Sequence, residues 1–222
     1  MVPFLQAGKS AGELGSQCVD AARAEQHSQW RVGSVGQRQQ CRRRRGRIAG
    51  REPARGRSSE QSLAGVCVGG VAIMAKQRFD VSFVQQSLFY PVTDAAQNTD
   101  SYRTFAEGPF LPAEAMEWFW NAYIPDEGPQ RKEITASPLR ASIEELRGLP
   151  PAFIIVDQND VLRDEGEAYA AKLTRAGVPT TSIRYNGIIH DFMMLNPVRS
   201  TQAATAAIEQ TIHVLSKALG TL

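Results

Sequence analysis

The sequence predicts an α/β fold, a mostly parallel sheet flanked by helices, on three observations. Phe153-Ile154-Ile155-Val156 is an unbroken apolar run, as expected of a strand buried on both faces of a parallel sheet. A helical pattern follows it, with Tyr169, Leu173 and Ala176 at i, i+4 and i+7 on one face. A β-branched run from Thr180 to Tyr185 then completes a strand–helix–strand unit. At 222 residues the chain is long enough for one good core.

Taken in order, residues 1–60 do not share this pattern. They hold twelve Lys/Arg against five Asp/Glu, whereas residues 61–222 hold thirteen against eighteen. The overall charge of +2 therefore describes neither part. Arg, Gln, Ser and Gly dominate the first segment, and Cys41-Arg42-Arg43-Arg44-Arg45-Gly46-Arg47 is a block of like charge, a composition expected to be solvated and low in order. Clustered arginines can neutralise phosphates, but no aromatics interleave them, so no nucleic-acid partner is expected. Gly8-Lys9-Ser10 fails as the end of a phosphate-binding loop because Pro3 stands where the first glycine is needed. No run approaches the ~18 apolar residues of a membrane span, and Met1 to Leu5 is too short for a signal peptide's apolar region. Cys18, Cys41 and Cys67 leave one thiol unpaired and show no metal-ligand spacing, which favours a reducing cytoplasm and no metal.

From Phe83 onward the elements follow one another. Ser87 to Val92 reads as a strand ending at Tyr90-Pro91-Val92-Thr93-Asp94. Pro112 to Tyr123 reads as a helix with Pro near its start, and Met116, Phe119, Trp120 and Tyr123 form a stripe suited to core packing. Ser142-x-x-Glu145 is a capping box opening a short helix that stops at Gly148. After the Phe153–Val156 strand the chain turns acidic at Asp157, Asp160 and Asp164, and Asp164, Glu165 and Glu167 suit the positive end of the next helix. Gly177 and Pro179 end that helix, and Gly187 opens a loop that bears His190. A last helix, from about Ser200 to Leu219, would face the sheet with Ile208, Ile212, Leu215 and Leu219. An acid after one strand and a histidine after the next can meet above the sheet, where α/β folds place their chemistry. The bland alternative is a helix-capping Asp and a surface His. His213, beside the last stripe, and His27, in the Arg-rich part, are poor candidates.

The words DVLRDEGEAYA (160–170), RYNGIIHDF (184–192), SLFYPVTD (87–94) and ASPLRA (136–141) resemble the hormone-sensitive-lipase-like branch of the α/β-hydrolases, which are carboxylesterases and lipases. The resemblance runs from about Val71 to the C-terminus. It implies a Ser-His-Asp triad acting on short acyl esters, with His190 as general base, Asp160 orienting it, and no metal or organic cofactor. It also implies that residues from about 100 to 148 are part of a cap, where Trp118 or Phe119 would line an acyl pocket.

The same resemblance leaves the nucleophile open. Relatives carry a His-Gly-Gly-Gly word for the oxyanion hole and a G-x-S-x-G elbow. No HGG word occurs in this sequence. Gly8-Lys9-Ser10-Ala11-Gly12 matches the elbow as a string, but no buried strand precedes it. Counting back from Val71-Ala72-Ile73-Met74-Ala75-Lys76, which resembles the family's post-elbow helix, reaches Ser62, whose neighbours Glu60, Gln61, Leu63 and Ala64 lack the glycines of an elbow. The expected architecture is thus an Arg-rich segment (1–60) joined to an α/β-hydrolase portion (61–222) incomplete at its N-terminal side. Two readings follow. One is an esterase built on Asp160, His190 and Ser62; the other is a truncated or frame-disturbed, non-catalytic remnant whose exposed sheet edge favours self-association.

Overall fold

The computed structural model describes residues 57–78, 81–125 and 128–221, with side chains from residue 68 onward. Residues 1–56 of the Arg-rich segment, with Ser10, Cys18, His27 and Cys41, lie outside the described residues. Among the described residues the sheet has three strands, β1 (Gln86–Phe89), β2 (Ala152–Asn159) and β3 (Thr180–Ile189), in the order β1-β2-β3 with both pairings parallel. The helices are α1 (Arg57–Arg78), α2 (Asp100–Thr104), α3 (Ala113–Tyr123), α4 (Ile143–Leu146), α5 (Arg163–Arg175) and α6 (Gln202–Ala218).

The side-chain alternation of β2 divides the core. Ala152, Ile154 and Val156 face a cluster with Val68, Ala72 and Ile73 of α1, Leu146 of α4 and Tyr169, Ala170 and Leu173 of α5. Phe153 and Ile155 face the opposite cluster, with Ile188, Phe192, Met193 and Ala204 and Ala207 of α6. Helices therefore cover both faces, which is what an all-apolar parallel strand requires. A third cluster packs Met116 and Trp120 of α3 on Val92, Tyr102, Leu111, Val161 and Leu162. α1 lies tight against the 135–138 segment because Gly70 has no side chain; a Cβ there would sit 2.2 Å from the Thr135 carbonyl oxygen.

Several local expectations hold. Ser142 Oγ accepts from the Glu145 N–H at 3.2 Å while a Glu145 carboxylate oxygen accepts from the Ser142 N–H at 2.6 Å, the reciprocal capping box. Gly177 sits at φ +78° and Val178 N–H returns to the Leu173 carbonyl, closing α5.

Others are corrected. The first strand stops at Phe89 rather than Val92, because Tyr90 adopts φ +41° and turns the chain. β2 continues through Asp157, so this acid belongs to a strand and not to the turn after it. β3 extends past Tyr185 to Ile189, so Gly187 lies within a strand rather than opening a loop. α6 does not use its Ile212/Leu219 stripe: Ala204, Ala207 and Thr211 are buried, while Ile212 and Leu219 are exposed. The helix meets the sheet through Ala204 and Ala207, with Ile208 of the expected stripe and Val214 partly buried against the same cluster.

Candidate active site

The site is set by strand register. Asn159 of β2 pairs with Ile189 of β3, so the next residue of each strand, Asp160 and His190, emerges beside the other at the strand ends. A bulge makes this possible. Between the Asp157–Tyr185 and Asn159–Ile189 pairs, β2 advances two residues and β3 four. Gly187 supplies the left-handed backbone, φ +72°, that absorbs the excess, and its N–H donates to the Gln158 side-chain oxygen at 2.7 Å. Asp191, at φ +64°, then turns the chain away, its carbonyl accepting from Met194 and Leu195.

His190 Nδ1 donates to Asp160 Oδ2 at 2.8 Å, with both side chains buried. The other Asp160 oxygen accepts from the Leu162 N–H at 3.1 Å, fixing the carboxylate. An Nδ1–H held by a carboxylate leaves Nε2 as the basic nitrogen. Burial is the largest influence and disfavours the charged imidazole, but the Asp160 carboxylate and then Asp191 together outweigh it and His190 is raised above its ordinary value. Nε2 faces Asp191 Oδ1 at 3.8 Å, beyond hydrogen-bond reach. Tyr90 meets the imidazole edge-on, ring centroids 4.9 Å apart.

The surroundings are unusually acidic. Asp157, Asp160 and Asp191 are all buried; burial and then repulsion from Asp160 and Asp191 hold Asp157 above the usual carboxylate range, and burial raises Asp191 too, against the attraction of His190. The Tyr90 hydroxyl is pushed up by burial and then by the same three acids. Asp157, Asp160 and His190 each offer one potential metal-ligand atom within 4.8 Å of the others. Two of these three donors are committed to the hydrogen bond between Asp160 and His190, which makes the cluster an acid–base site before a metal cage.

Asp160 and His190 are thus brought together. Ser62 lies at the sixth position of α1, inside the helix rather than at a strand-to-helix turn, and its side chain falls outside the described residues. Trp118 is 61% exposed on α3, stacked edge-on against Phe119, whereas Trp120 is buried. His213 is exposed on α6. Sequence reasoning missed Asp157, Tyr90 and Asp191 as neighbours of the pair. For Asp157 a signal existed, since it continues the Phe153, Ile155 alternation onto one face of β2. A cavity of about 340 Å³ lined by Gln97, Glu117, Arg131, Lys132 and Arg140 lies apart from this pair.

The sequence profile of the alpha/beta hydrolase fold family matches residues 55–194. A solved thermostable esterase from Pseudomonas putida ECU1011 aligns with a TM-score of 0.65 and 50% identity, over 67% of this chain and 46% of its own. An esterase from the fungus Rhizomucor miehei aligns with a TM-score of 0.66 and 42% identity, over 71% of this chain and 48% of its own. Carboxylesterase NlhH of Mycobacterium tuberculosis is 32% identical over 168 residues, 71% of this chain and 53% of the relative. The chain spans about half the length of the relatives it matches. The profile covers more than half of the sequence and the parallel sheet with helices on both faces agrees with it: this chain belongs to the α/β-hydrolase fold family.

Proposed function

We propose that this chain is a carboxylic-ester hydrolase of the hormone-sensitive-lipase-like type, acting on short acyl esters through a serine, His190 and Asp160. The observation that carries the reading is the buried 2.8 Å bond between His190 Nδ1 and Asp160 Oδ2 at the ends of adjacent parallel strands. Asp160 holds the imidazole in one tautomer. His190 Nε2 then takes the proton of the serine as it attacks the ester carbonyl, and returns it to the leaving alcohol. Ser62 is the candidate nucleophile, by its spacing from the Val71–Lys76 segment of α1. No metal or organic cofactor takes part in these steps.

Hydrolysis of p-nitrophenyl acetate by the purified chain tests the reading. Asp160→Asn and His190→Ala should each lower kcat/KM by about 10³–10⁴-fold. Equal rates in all three proteins would refute it.

A second reading has a specific observation in its favour. Asp191 Oδ1 lies 3.8 Å from His190 Nε2, adding a buried acid beside the base, and the sequence has no HGG word for an oxyanion hole. On that reading the chain is a non-catalytic hydrolase portion that self-associates, folded yet no faster than His190→Ala. In either case the unpaired cysteine count fits a reducing cytoplasm. Among the described residues no helix is long and apolar enough to cross a membrane.

A further inference from the structure

The Asp160–His190 pair leaves one neighbouring group unexplained. Asp157 is fully buried, and neither of its carboxyl oxygens completes a hydrogen bond. It projects from β2 on the face of Phe153 and Ile155, toward Tyr90 from the end of β1 and toward His190 and Asp191 from the end of β3. Its own strand presents Asp160 three residues on. An ionised carboxylate there would face two further aspartates, and the one imidazole within 4.8 Å is already hydrogen-bonded to Asp160. Buried polar groups without partners are rare enough to need a cause.

We propose that Asp157 is a positioning residue for the pair, a neutral carboxylic acid whose proton is offered to the Asp160 carboxylate. The two aspartates then share one proton. The arrangement restrains Asp160 from swinging away from His190 Nδ1, and it withdraws charge from the carboxylate that faces the imidazole. His190 is thereby less readily locked as an imidazolium and stays available as a base. Asp157 and Asp160 each offer an oxygen within 4.8 Å of the other, and after burial it is repulsion from Asp160 that most raises Asp157 above the ordinary carboxylate range. The inference rests on the proposed role of the Asp160–His190 pair, but its readout does not require turnover.

The test is the titration of the His190 ring nitrogens, followed by NMR in the wild-type chain, Asp157→Asn and Asp157→Leu. An amide keeps a neutral donor beside Asp160, so Asp157→Asn should leave the His190 pKa within about 0.2 units. Leucine removes the donor, returns full charge to Asp160 and should move His190 upward by on the order of half a unit or more. A downward shift in Asp157→Asn would mean that Asp157 is ionised, and the proposal fails. No shift in either variant would make Asp157 a bystander, and the proposal fails again. Should the leucine variant not fold, the protonated-carboxyl infrared band lost from wild type to Asp157→Asn at neutral pH decides instead, its absence overturning the proposal. A folded chain that shows these shifts but hydrolyses no ester would retain the positioning role and lose only the esterase reading.

Discussion

Glu165 gives the most quantitative test of the described core. Its place in the first turn of α5 suits the helix dipole, yet it is 1% exposed. Its Oε1 accepts the Thr93 and Asp94 N–H groups at 2.5 and 3.3 Å, while Oε2 is buried without a partner near the Tyr102 hydroxyl. Burial outweighs the two backbone donors and pushes its pKa from 4.5 up to about 8. Because the folded value is raised, the protonated form is the stabilised one. The contribution is complete below the unfolded value near 4.5 and is lost as pH climbs toward 8. At 1.36 kcal/mol per unit, linkage removes about 2.5 kcal/mol between pH 5 and pH 7. Asp157 and His190, both raised, act in the same direction, so the glutamate must be isolated by difference. Glu165→Gln keeps an uncharged acceptor for the Thr93 and Asp94 N–H groups. Urea unfolding at pH 5, 6 and 7 should show wild type losing about 2.5 kcal/mol more than Glu165→Gln across that range. Parallel pH dependences in the two proteins would show that Glu165 is folded as an ordinary ionised carboxylate and refute the reasoning.

Three further outcomes are checked by the same unfolding experiment. Gly187→Ala should cost about 1–2 kcal/mol, because an alanine at φ +72° is strained, and it should also weaken the Asp160–His190 bond, read from a changed His190 NMR titration. Trp120→Ala, emptying a fully buried site in the third cluster, should cost about 3–5 kcal/mol, whereas Trp118→Ala on the exposed side of α3 should stay within about 0.5 kcal/mol. On α6, Ala207→Leu should cost about 1–3 kcal/mol by overpacking against the sheet, and Ile212→Ser should be near neutral.

What could be read from the sequence is what local patterning dictates. The Phe153–Val156 run, the Tyr169/Leu173 face of α5, the Ser142 capping box and the Gly177 cap all act within one turn or one strand, and all are present. The approach of Asp160 to His190 was legible as two residues ending successive parallel strands. Its mechanism was not, because a bulge is a property of two paired strands and Gly187 alone reads as a turn. The packing face of α6 is legible only in part for a similar reason: Ile208 packs on the sheet as its period predicts, but the burial of Ala204 and Ala207 in place of Ile212 depends on what the sheet presents. Asp157 looked like a turn acid because an aspartate in a buried strand is disfavoured. Such local conflicts cluster at functional sites, and this one lies beside the candidate pair.

The decisive measurement is labelling of the folded chain with a fluorophosphonate, followed by peptide mapping. The reagent modifies a serine activated by a neighbouring base, so it reports the assembled site and not the fold alone. The expected result is one modified residue, Ser62, unlabelled in His190→Ala and Asp160→Asn. A cooperatively folded chain that takes up no label, or takes it up equally in His190→Ala, would contradict the assignment of Asp160 and His190 to a working hydrolase triad.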